Sequence, residues 1–169
     1  MTIEEALKTA IEFEQGVKHV YADAAKKFVD PVASKVLKVL ASEEERHVEY
    51  LESRLTEWQK TGKVTVERLE TAIPSKAAIE AGLKQLEKRM GQQDFAIELE
   101  VMKKALELEV EATNFFRRMV SELASDERRM FARFVEIEEG HEAIVQAEMD
   151  ALTGLGYWFD YSEFRLENA

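Results

Sequence analysis

Two short stretches of this chain carry residues that can grip a metal between them. Glu44-Glu45-Arg46-His47 and Glu138-Glu139-Gly140-His141 each read Glu-x-x-His. On a helix, positions i and i+3 share a face one turn apart, so one carboxylate and one imidazole point the same way. Two such pairs, plus one Glu from each of two further helices, form the ligand set of a di-iron or di-manganese carboxylate bundle. The chain must then supply two more inward-facing Glu residues at the same height.

Four long helices are predicted from apolar periodicity, over about 3–28, 31–60, 93–124 and 126–153. Asp30-Pro31, Thr61-Gly62 and Ser125-Asp126 supply the stop and cap signals between them. The first and third helices each offer several Glu residues, and their neighbours sort them. Glu12 sits among Lys8, Thr9, Gln15 and Gly16, a solvated face, whereas Glu14 sits among Ala10, Ile11 and Val17, with Lys18 its one polar neighbour. Glu107 neighbours Lys103, Lys104 and Glu111, whereas Glu109 neighbours Ala105, Leu106, Ala112 and Thr113. Glu14 and Glu109 are therefore the inward pair, and a Glu on an apolar stripe is costly to bury without a partner.

The heights agree as well. Glu14 lies about 15 residues before the Asp30 turn and Glu44 to His47 about 15 after it, so an antiparallel pair brings them level at ~1.5 Å per residue. Glu109 and the Glu138–His141 pair are placed likewise about the Ser125 turn. The two halves also resemble each other. Ala10-Ile-Glu-Phe-Glu14 matches Ala105-Leu-Glu-Leu-Glu109, and Tyr21 and Phe116 each follow seven residues later. Tyr21 shares a face with Glu14, where it either hydrogen-bonds a ligand carboxylate or packs as core; Phe116 cannot make that bond. His19, beside Gln15, Gly16 and Asp23, reads as a surface residue.

Composition narrows the function classes. The chain has 169 residues and no Cys, which removes disulfides, zinc ribbons and Cys-ligated iron centres and fits a reducing, cytoplasmic setting. A formal charge of −11 argues against nucleic acid and anionic membranes as partners. No apolar run approaches the ~20 residues that span a bilayer, and the first residues lack the pattern of a signal peptide. Residues 62–92 break the long-helix pattern at Val64-Thr65-Val66 and Ile73-Pro74-Ser75. They read as a crossover holding one short helix from about 76 to 90. The aromatic tail, 154–169, is expected to pack on the bundle, 1–153, or on a partner chain.

Glu14, Glu44, His47, Glu109, Glu138 and His141, in that order and spacing, resemble the rubrerythrin branch of the ferritin-like superfamily, over residues of about 5–152. The resemblance implies an all-α, ferritin-like four-helix bundle of two antiparallel helix pairs joined by a long crossover. It implies a two-iron centre, with manganese as the alternative occupant. Glu44 and Glu138 would bridge the ions, Glu14 and His47 would complete one site, and Glu109 and His141 the other. Two features depart from the family. Peroxidase-active rubrerythrins carry a further Glu three residues after the third-helix ligand, where this chain has Ala112; the matching first-helix residue is Val17. The Cys-ligated rubredoxin domain is also missing, so electrons would come from a separate rubredoxin-like or flavin protein.

The expected function is a non-haem di-iron protein, in a homodimer, that reacts with hydrogen peroxide or oxygen. Iron handling (ferroxidation, storage or sensing) is the second reading, and a metal-free helical interaction module the third.

Overall fold

A computed structural model describes residues 1–28, 31–83 and 96–153. The described residues form five helices: α1 (Ile3–Lys27), α2 (Pro31–Thr61), α3 (Lys76–Leu83), α4 (Ala96–Glu122) and α5 (Ser125–Leu152). No strand occurs among them. The Asp30 cap, the end of the short helix beyond residue 83 and the aromatic tail lie outside the described residues.

Local chemistry explains the helix ends. Thr2 accepts from the Glu5 amide while Glu5 accepts from the Thr2 amide, a capping box that starts α1. Gly62 closes α2 with φ +67°, a left-handed turn that suits a residue without a Cβ, and its amide donates to the Trp58 carbonyl at 2.8 Å. Ser75 caps α3 by accepting from the Ala78 amide at 3.3 Å. At the last turn the cap falls one residue earlier than expected. The Ala124 carbonyl accepts from the Arg128 amide at 2.9 Å, so Ser125 is already helical.

Pairs of contacts fix the directions of the helices. Ser34, Glu45, His47 and Gln59 of α2 meet Ala25, Lys18, Glu14 and Glu4 of α1 in reverse order. α4 and α5 are antiparallel too: Phe116 packs on Phe131 and Phe134, and Arg117 pairs with Glu139. The Tyr21–Glu109 and Phe13–Phe115 contacts join α1 to α4. The His47–Glu138, Glu44–His141 and Tyr50–Phe134 contacts join α2 to α5. The result is a helical bundle in which each long helix runs antiparallel to both of its neighbours.

The core is in two parts. One apolar cluster gathers Val17, Tyr21, Leu37, Leu40, Met102, Ala105, Ile144 and Val145. The other gathers Leu7, Ala10, Leu51, Ala112, Phe115, Phe116, Phe131 and Phe134. On every long helix the residues between the two clusters are those singled out above for chemistry, so a polar layer divides the core at mid-height.

Between α2 and α3 the chain runs as an extended strap, residues 63–75, along the α2/α5 side of the bundle. It is held to the bundle by side chains that donate to its carbonyls. Arg54 donates to the Thr65 carbonyl at 2.8 Å, Tyr50 to the Glu67 carbonyl at 2.9 Å and Arg133 to the Leu69 carbonyl at 3.0 Å. Leu69 and Ile73 bury their side chains beneath it. Where the strap crosses α5, a Cβ on Gly140 would lie 2.8 Å from the Pro74 carbonyl oxygen, which explains a glycine in mid-helix.

Candidate metal centre

Each of the six residues picked from the sequence is buried to 1% exposure or less, whereas Glu12, Glu107 and His19 are exposed. The arrangement has two halves. His47 Nδ1 lies 2.9 Å from Glu14 Oε2, 3.2 Å from Glu44 Oε2 and 3.3 Å from Glu138 Oε1. His141 Nδ1 lies 2.8 Å from Glu44 Oε1, 3.0 Å from Glu138 Oε2 and 3.6 Å from Glu109 Oε1. Glu44 and Glu138 thus turn one oxygen to each histidine, while Glu14 and Glu109 each serve one half. The two imidazole rings are parallel within 6°, with centroids 5.5 Å apart.

His47 Nδ1 is hydrogen-bonded to Glu14 and Glu44, but the other close approaches are not hydrogen bonds. Glu44 Oε1, both Glu138 oxygens, Glu109 Oε2 and His141 Nδ1 are buried without an aligned hydrogen-bond partner. Buried polar atoms are nearly always satisfied, so a cluster of orphans at one point calls for another partner. The donor set of carboxylate oxygens and imidazole nitrogens suits divalent first-row metals. Glu14, Glu44, His47 and Glu138 present ligand atoms within 4.8 Å of one another, and so do Glu44, Glu109, Glu138 and His141. Both groups can hold a metal ion.

Protons stabilise the centre when no metal does. Burial, reinforced by the charges of Glu138 and Glu44, raises the Glu14 carboxyl well above the ordinary range. Burial also lifts Glu109, to about 8, against the opposing pull of His141. Burial acts on Glu44 and Glu138 too, but the histidines outweigh it and hold both low. Burial depresses the two imidazoles, yet the surrounding carboxylates win and raise both. Without metal these directions favour imidazolium–carboxylate pairing of the histidines with Glu44 and Glu138, with protons retained on Glu14 and Glu109. Such pairing leaves these six residues without net charge, and the neighbouring buried Glu43 is paired with Arg46.

The surroundings differ between the halves. Tyr21 donates a short hydrogen bond to Glu109 Oε1 across the bundle, rather than to Glu14 on its own helix. Burial, with Glu109 and Glu44 nearby, raises its phenol well above the ordinary value and keeps it a donor. On the other side Phe134 stands edge-on to the His47 ring, 5.4 Å away, with Phe116 packed behind it. Ala112 is fully buried among the aromatic rings, and Val17 is buried at its own level.

One residue of this region escaped the sequence reading. Glu43 is fully buried beside Glu44, and one of its oxygens lies within 4.8 Å of a ring nitrogen of both His47 and His141. The available signal was its spacing: Leu40 and His47, three before and four after, are both inward. It was masked by the run Glu43-Glu44-Glu45, in which two adjacent carboxylates cannot share a helix face under simple periodicity.

Scans against protein-family models, curated proteins and solved structures find no match to this chain. The class of protein is therefore argued from the fold and the site. None of the described helices is long and apolar enough to cross a membrane.

Proposed function

We propose that this chain is a ferritin-like, rubrerythrin-type protein that binds two iron ions and reacts with hydrogen peroxide or oxygen. The observation that carries the reading is the sharing pattern. Two carboxylates, Glu44 and Glu138, face both histidines, and one further Glu faces each. In this reading Glu44 and Glu138 would serve both ions, Glu14 and His47 would complete the set for one, and Glu109 and His141 for the other. Iron held there would supply one electron per ion, enough with two protons to reduce one hydrogen peroxide to two waters. Tyr21 fixes the rotamer of Glu109 through its hydroxyl. Phe134 and Phe116 exclude water on the His47 side, which strengthens the electrostatic grip of the carboxylates. In this reading electrons would return from a separate donor such as a rubredoxin-like or flavin protein.

The test is anaerobic loading with ferrous iron, counting iron per chain, then rapid mixing with hydrogen peroxide or with oxygen. Two irons per chain and oxidation by one of the two are expected. Fewer ions, or no oxidation by either, refutes the reading. A specific residue favours iron handling as the second reading: Ala112 provides no extra carboxylate on α4 to exchange with a histidine during turnover. Steady-state turnover with an electron donor separates the two readings, and native mass separates storage cages from small oligomers.

A further inference from the structure

Glu43 carries an inference that rests on the metal reading above but concerns a different residue and the strap. Its carboxylate is the contact between the strap and the centre. Thr71 Oγ1 donates to Glu43 Oε2 at 2.7 Å, and the Ala72 amide donates to Oε1 at 3.1 Å. The Ile73 amide donates back to Thr71 Oγ1 at 3.0 Å, so the three strap residues and Glu43 form one hydrogen-bonded turn. The half-exposed Arg46 guanidinium pairs with the same carboxylate from the outside.

On its inner side Glu43 meets the histidines. The Nδ1 atoms are committed to the four carboxylates, and both Nε2 atoms are buried with no hydrogen-bond partner. A histidine that binds metal through Nδ1 carries its proton on Nε2, and that N–H is nearly always given to a carboxylate, carbonyl or water, which orients the ring. Besides the carboxylates already committed to Nδ1, Glu43 is buried with an oxygen within 4.8 Å of a nitrogen of each ring. Its oxygens already accept from Thr71 and Ala72 and pair with Arg46. That makes it an acceptor in a hydrogen-bonded unit rather than a ligand of a third ion.

We propose that Glu43 is a positioning residue shared by both imidazoles, and that it couples metal occupancy to the closure of the strap over the α2/α5 side. Metal at Nδ1 would fix both ring orientations, and the Nε2–H groups, given to Glu43, would hold its carboxylate where Thr71 and Ala72 donate to it. By reciprocity, whatever fixes the strap also raises metal affinity, and by the same factor.

Hydrogen exchange at the Ala72 and Ile73 amides, with and without manganous ion, reads the coupling; metal titration of wild type, Glu43→Gln and Thr71→Val gives the affinities. Metal is expected to slow both amides in wild type by about 10-fold or more, and Glu43→Gln to weaken binding by about 10- to 100-fold, the range typical of groups that orient metal ligands. Thr71→Val keeps the side chain's shape and leaves the ligands untouched; it is expected to lose part of the metal-induced protection and to bind metal several-fold more weakly. Wild type that binds no metal overturns the metal reading itself. Wild type that binds two ions while the strap amides exchange unchanged overturns the coupling alone, as do variants that fold, by circular dichroism, and bind as tightly as wild type.

Discussion

Glu109 offers a direct test of the electrostatic account, through the single substitution Glu109→Gln. The carboxyl is fully buried, accepts from Tyr21, and titrates at about 8 in place of its ordinary 4.5. The folded protein therefore holds a proton that the unfolded chain releases. The stability this confers is complete below pH 4.5 and is lost as pH rises through 8. Each tenfold between the two values is worth about 1.4 kcal/mol, so wild type forfeits about 5 kcal/mol across that range, about 3 of it by pH 7. The glutamine side chain keeps the shape and the oxygen that Tyr21 needs but has no proton to lose. Urea unfolding of both proteins in chelator, at pH 5, 7 and 9, should show the variant gaining on wild type at each step. Manganous ion should reverse the order at pH 7 and above, because ionised Glu109 becomes a ligand and the neutral amide of the variant does not. A difference between the two proteins that stays constant from pH 5 to 9 would refute the reasoning.

Four shorter expectations follow from the same geometry. Metal uptake at pH 7 should release about two protons per ion, since two imidazoliums and two carboxylic acids must all deprotonate; calorimetry in buffers of different ionisation enthalpy counts them, and release near zero would contradict the metal-free state described. At a hundredfold excess over Kd at both sites, metal should add about 5 kcal/mol and raise Tm by about 10–20 °C, measured by differential scanning calorimetry against chelated protein. Glu44→Ala should abolish binding at both sites, whereas Glu12→Ala, on an exposed face, should leave stoichiometry and Tm unchanged. Gly140→Ala should lower stability by about 1–3 kcal/mol in urea, although alanine is intrinsically the better helix former, because its Cβ would meet the Pro74 carbonyl oxygen at 2.8 Å.

The parts of this molecule that sequence makes readable are those governed by period and count. Helix faces follow a 3.6-residue repeat, so Glu14 could be told from Glu12, and Glu109 from Glu107, by their neighbours alone. Helix rise is constant, so counting from each turn placed the two Glu-x-x-His pairs level with those residues. The structure brings all six into one layer between two apolar clusters. Tyr21 was readable only as far as its face. That it reaches Glu109 depends on α1 packing against α4, a contact that no local pattern encodes.

The strap explains most of what sequence could not supply. It has no period, and its carbonyls are satisfied by side chains from two helices: Tyr50 and Arg54 on the preceding α2, and Arg133 on the distant α5. Those residues look like ordinary polar positions until the strap is laid over them. Gly140 is of the same kind. Inside the second Glu-x-x-His it looks like a helix-weakening residue, yet it makes room for Pro74, and so sets how closely the strap approaches α5 beside His141. Glu43, Thr71 and Ala72 complete the link from strap to histidines. A candidate ligand set can therefore be read from helical spacing, while the partners of Glu43 beside it come from non-repeating chain. Changes confined to the strap, none of them at a ligand, are accordingly where metal affinity should be adjustable without loss of the centre.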